Sequence, residues 1–177
     1  MSVPVIHESE AESLDLPGRN LRWLVNENLL GAKHLSMCVI RVEPGETVRP
    51  AHSHPNGEEV IYIVSGSGRV MVSGEVSPVR EGSVVLFPQG EVHMLQNNGD
   101  LPMKVACFFA PATNLDNYKL FEDVVFPHNS VLGGYFLRPV DDENIRLKFS
   151  LVPVSVRVVR RRPLTGTERR RRTMHPV

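Results

Sequence analysis

Only two cysteines, Cys38 and Cys107, and one tryptophan occur among the 177 residues, and no apolar run approaches the ~20 residues a bilayer-spanning helix needs. A disulfide framework is thereby ruled out, and each cysteine sits in an apolar run, the setting of a reduced, buried thiol. The acidic stretch from Met1 to Glu12 lacks the apolar segment of a secretory leader, so the expected location is cytoplasmic and no membrane partner is expected. Net charge is missing too, with 20 Lys+Arg against 20 Asp+Glu. What is present is a 41% hydrophobic content, enough for a globular core in a chain the size of one domain with a small appendage.

The zero total hides an asymmetry. Residues 1–145 hold 10 basic and 19 acidic residues, whereas residues 146–177 hold 10 basic and a single acidic one, Glu168. Eight arginines lie between Arg157 and Arg172. Such a run can pair with phosphates, but no helix-turn-helix, zinc-finger or RNA-platform pattern accompanies it. An acidic body of the same chain is also available to neutralise it. Nucleic acid is therefore not the expected partner.

Gly57, Gly66, Gly74, Gly82, Gly90 and Gly99 recur every eight or nine residues between segments rich in Val, Ile, Leu, Phe and Tyr. This rhythm predicts short strands joined by tight turns: 35–42, 60–65, 69–73, 83–87, 91–96 and 103–109. The connections are too short for parallel crossovers, so an antiparallel meander is expected. Cys38, Ile40 and Val42 alternate with Arg41 and Glu43 and should point inward. Val60 to Val64 are apolar on both faces, so the outer face needs a cover, from a second copy in a homodimer or from the N-terminal strand. Residues 112–123 read as loop with one short helix, 128–145 mainly as loop, and Val152, Val154, Val156 and Val158 as an edge strand that tolerates Pro153. The expected organisation is an N-terminal strand or arm (1–34), a barrel (35–110), an extension packed on it (111–159) and a flexible arginine-rich tail (160–177).

His52 and His54 are two apart and share a face in an extended strand. Glu59 follows after a Pro55-Asn56-Gly57 turn, and His93 lies two hairpins later. Three neutral imidazoles and a carboxylate would hold a divalent first-row ion with positions left open. The surrounding spacing reads Gly45, six residues, His52-Ser53-His54, four residues, Glu59, six residues, Gly66; then Gly82, five residues, Pro88-Gln89-Gly90, two residues, His93, three residues, Asn97. In these two motifs the chain resembles the cupin family, departing only by one extra residue between Gly45 and His52. The resemblance covers residues 35–110. It implies an all-β fold, a double-stranded β-helix or jelly roll, here with an irregular basic C-terminal extension. It also implies His52, His54, Glu59 and His93 as ligands of one divalent transition metal (Mn, Fe, Ni, Co, Cu or Zn).

Alternation places Cys38, Ile40, Ile61, Ile63, Phe87, Leu95, Cys107 and Phe109 along the substrate pocket, with Val85 and Val105 also inward. Tyr62 and Glu58 should face away from the ion, and no catalytic acid or base can be assigned. Asn97 either orients a ligand or belongs to an Asn97-Asn98-Gly99 turn. Within the resemblance, Glu59 argues against thiol dioxygenases, which generally lack that glutamate. The single barrel argues against the oxalate enzymes, which are usually two-barrel or secreted proteins. The expected function is a metal-dependent enzyme of dioxygenase, lyase or isomerase type acting on a small, partly apolar substrate that binds the metal through oxygen. The alternative is a non-catalytic small-molecule-binding or sensor module.

Overall fold

The computed structural model describes residues 3–127, 135–139 and 149–153. In chain order the strands are β1 (Leu14–Leu16), β2 (Arg19–Val25), β3 (Ser36–Val42), β4 (Ala51–Ser53), β5 (Glu58–Ser65), β6 (Ser67–Val72), β7 (Glu75–Arg80), β8 (Val84–Phe87), β9 (His93–Gln96), β10 (Met103–Ala110), β11 (Lys119–Phe121), β12 (Tyr135–Pro139) and β13 (Phe149–Pro153). A one-turn helix, α1 (Glu27–Leu30), and 3-10 turns at Glu8–Glu10 and Leu115–Asn117 complete them. No helix among the described residues is long and apolar enough to cross a membrane.

All ladders are antiparallel, but the order is not a simple meander. One sheet runs β1-β2-β3-β10-β5-β8 and the other β11-β4-β9-β6-β7. Between β3 and β10 only β6 and β7 are sequential strands that pair with each other; elsewhere the chain switches sheets. This is the jelly-roll arrangement, in which strands distant in sequence become neighbours. Gly66 marks one switch, between β5 and β6: its φ of +85° is open to glycine, and a Cβ would lie 2.8 Å from the Met103 Cα.

The period-two pattern explains which side is buried. Along β5, Glu59, Ile61 and Ile63 point in, while Tyr62 and Val64 are exposed. Burying each large aliphatic side chain contributes about 1.5–3 kcal/mol, so a one-residue slip would expose the whole inward set. The core joins Leu21, Cys38, Ile40, Val42, Ile61, Ile63, Phe87, Leu95, Val105, Cys107 and Phe109 between the sheets. β7 is a strand in addition to those expected; it lies at a sheet edge, where the missing N–H of Pro78 is tolerated.

The N-terminal strands do not cover the outer face of β5. They extend the first sheet beyond β3, leaving Tyr62, Val84, Leu86 and Phe108 exposed. Residues 112–123 contain a 3-10 turn and also β11, which pairs with β4. Contacts divide the chain after Pro127. In the second unit Tyr135–Pro139 is a strand rather than the loop expected there, paired with Phe149–Pro153. The remainder of the expected edge strand, from Val154, and the tail 160–177 lie outside the described residues.

Candidate metal centre

Both sheets contribute to one cluster. All three residues of β4 are buried, and His52 stands opposite His93 of β9. Side chains opposed across an antiparallel pair share a face, and the two imidazole centroids are 4.5 Å apart. His54 follows two residues later, its ring 5.0 Å from that of His93. Glu59 comes from the other sheet, on β5, opposite Phe87 of β8 and Phe109 of β10. One potential ligand atom from each of the four lies within 4.8 Å of the others, and all four residues are buried.

Buried polar atoms need partners. Nδ1 of His52 and of His93 lies 3.2 and 2.9 Å from the carbonyl oxygens of Pro50 and Glu91. A carbonyl only accepts, so each Nδ1 carries the proton and each Nε2 keeps its lone pair. Metal-bound histidines use this same outer hydrogen bond to hold ring and tautomer. His93 Nε2 has no hydrogen-bond partner and sits 3.4 Å from Glu59 Oε2. His54 Nε2 donates to that oxygen at 2.7 Å, while its Nδ1 is buried without a partner. An orphaned nitrogen, a carboxylate and two further imidazoles around one point fit a divalent first-row cation. Binding there would displace the His54–Glu59 proton and so couple to pH.

Residues 38–109 match the family model of the cupin domain. The polyketide synthase protein CurC of Streptomyces cyaneus is 30% identical over 107 residues, covering 60% of this chain and 69% of that protein. This chain belongs to the cupin family. A germin-like protein of Arabidopsis thaliana, subfamily 2 member 1, is 29% identical over 141 residues, 75% of this chain, which spans only 63% of that relative's length. Among solved structures, a predicted oxalate decarboxylase from Thermotoga maritima superposes with a TM-score of 0.55 at 21% identity, over 60% of this chain and 98% of that one. At that identity the likeness speaks for the fold.

The cupin barrel opens beside the cluster into a cavity of about 30 Å3. Cys38, Ile40, Ile61, Phe87, Leu95, Cys107 and Phe109 line it together with His52, Glu59 and His93. Ile63 is buried in the same core but outside the lining, two residues further along β5. Asn97 is fully buried away from the cavity: its Nδ2 donates to the Val42 and Leu101 carbonyls and its Oδ1 accepts from the Gly99 amide, so it braces a turn. Glu58 is exposed. Four lining residues, Arg19, Leu21, Val48 and Tyr118, were not anticipated. Leu21 and Trp23 at alternate positions were the available signal for an inward-facing Arg19. Tyr118 had none, since it reaches the cavity from the irregular stretch after the barrel.

Aromatic rings clamp the imidazoles. Phe87 stacks on His93 at 4.0 Å and 6°. Tyr118 stacks on His52 at 4.9 Å and 11° and meets His54 edge-on at 4.4 Å. Burial, reinforced by the electrostatic interaction with the neighbouring His93 ring, lowers the His52 pKa to about 3. Burial alone would raise the Glu59 carboxyl, but the hydrogen bond from His54 and the nearby His93 ring outweigh it and hold the pKa below the usual carboxylate range. Burial and the Glu59 charge push the Tyr118 hydroxyl up. The hydrogen bond with Cys38, then burial, does the same for the Cys107 thiol. At neutral pH, therefore, Glu59 is ionised, His52 is neutral, and Tyr118 and Cys107 keep their protons.

These shifts set the acid behaviour of the metal-free cupin. Between the unfolded value of 6.5 for His52 and its folded value of about 3, the unfolded chain binds more protons than the folded one, so stability falls as pH falls. Glu59 acts in the same direction, its contribution being present above 4.5 and lost on further acidification. Thermal unfolding of chelator-treated protein should show a Tm that declines steadily below about pH 6.5. A Tm unchanged from neutral pH to about pH 4 would contradict these assignments.

Proposed function

We propose that the chain is a metal-dependent cupin enzyme, of dioxygenase, lyase or isomerase type, acting on a small, partly apolar substrate that meets a divalent transition metal through oxygen. The observation that carries this reading is the convergence of His52, His54, Glu59 and His93 at the end of a largely apolar cavity. A metal bound there supplies Lewis acidity to an oxygen ligand. The chain's own residues orient and enclose: Phe87 and Tyr118 hold the imidazole planes, and the aliphatic wall excludes water. Two relatives are named as polyketide synthase proteins, TcmJ of Streptomyces glaucescens and CurC of S. cyaneus, which supports oxygen-rich organic ligands.

The test is turnover of a panel of oxo acids, phenolics and sugars by metal-loaded protein. Product formation abolished by chelation and restored by one metal supports the reading. Ligand-induced thermal stabilisation with no product across the panel supports instead a non-catalytic binding or sensor module. That second reading draws on one observation: apart from the four clustered residues, the ionisable groups lining the cavity are a guanidinium, thiols and a high-pKa phenol, none of them a general base.

We further propose a homodimer in which a second copy covers exposed Tyr62, Val84, Leu86 and Phe108, readable as twice the chain mass in sedimentation. The two free, buried cysteines support a reducing, cytoplasmic setting.

A further inference from the structure

Arg19 is a charged side chain in the cavity wall to which the metal reading gives no task. Its Nη1 is buried without a hydrogen-bond partner. Leaving a buried donor unsatisfied is costly, and more so when it is charged. The guanidinium is near enough to act electrostatically on both His52 and Tyr118. It is also held in place. Arg19 opens β2 directly after the Pro17-Gly18 turn, and Gly18 has a φ of +74° with its α-carbon packed so tightly on the Thr47 carbonyl that a Cβ would collide with it. Pro17 O accepts from Arg49 N at 3.2 Å, three residues before His52. Two residues on, Leu21 is 1% exposed and anchors the strand in the core.

Charge bookkeeping says what is missing. A divalent ion and the Arg19 guanidinium, set against the one ionised carboxylate of Glu59, leave two positive charges beside a largely apolar wall. Buried charge of one sign demands a counter-ion, and a guanidinium pairs best with a planar, two-oxygen anion. The cavity is small, so that anion must be short.

We propose that Arg19 is the specificity-determining residue of this centre, pairing through Nη1 with the carboxylate of a small oxo or hydroxy acid whose other oxygen faces the metal. The proposal rests on the metal reading of His52, His54, Glu59 and His93, and narrows its substrate class to short carboxylic acids.

The test compares equilibrium binding of pyruvate with that of its uncharged isostere pyruvamide by calorimetry, with metal content measured on the same samples. Wild-type protein should bind pyruvate at least about tenfold more tightly than pyruvamide. Arg19→Met should erase that preference while retaining the metal, and Arg19→Lys, which keeps the charge but loses the fork, should retain part of it. No pyruvate binding, equal binding of the two, or a preference that survives Arg19→Met overturns the proposal. The wild-type comparison decides even where Arg19→Met fails to fold. Protein that holds one ion without preferring the acid sinks this inference and spares the metal reading. Protein that takes up no ion yet prefers the acid through Arg19 sinks the metal reading and leaves only the pairing of Arg19 with the carboxylate.

Discussion

His93→Ala is expected to lower the metal content from about one ion per chain to near zero after dialysis. The effect is large because, in the proposed site, His93 would supply a ligand and also sets the register. It is 2% exposed, opposes His52 across β4 and β9, and presents an Nε2 that has no other partner. Removing it deletes one of four donors and opens a gap beside Phe87 and His52. Alanine removes the ring without burying a new polar group, so the β-barrel should persist, with retained far-ultraviolet circular dichroism. Elemental analysis of the folded variant is the check. Full metal retention would show that the ion, if any, sits elsewhere.

Phe87→Ala should cost about 3–5 kcal/mol of stability, the range for truncating a buried aromatic, and weaken metal binding as well. Phe87 is 3% exposed, joins the core cluster, and stacks on His93 from the opposite sheet. Its loss leaves a cavity where the two sheets meet and frees the imidazole to turn. Phe87→Leu separates the two roles: most of the volume remains, so stability should drop by less than about 1.5 kcal/mol, while the flat face that orients His93 is gone. Denaturant unfolding gives the first quantity and metal titration the second. Equal stability of Phe87→Ala and wild type would contradict the packing described.

The four clustered residues were legible in the sequence because their chemistry is local in part. The spacing of His52 and His54 fixes a shared strand face, and the motif spacings point to Glu59 and His93. The positions of β3, β5, β6, β8, β9 and β10 followed from alternation and glycine punctuation, since each inward residue is paid for by burial. Strand order did not follow, because pairing β5 with β10 and β8 is a long-range choice made by the closed core. Arg19 and Tyr118 escaped for a related reason: their places depend on how the β1–β2 hairpin docks at Thr47 and how β11 joins β4. The alternation of Leu21 and Trp23 marks the face of Arg19, but neither docking contact leaves a trace in the chain. Likewise the edge position of β7, which accommodates Pro78, becomes evident only when the sheet is assembled.

The most direct test of the account is a titration of chelator-treated wild-type protein with Mn(II), Co(II) and Zn(II), followed by dialysis and elemental analysis. Saturation at about one ion per chain is expected for at least one of the three, with release on acidification as the ligands take up protons. Protein that retains none of them at neutral pH would contradict it.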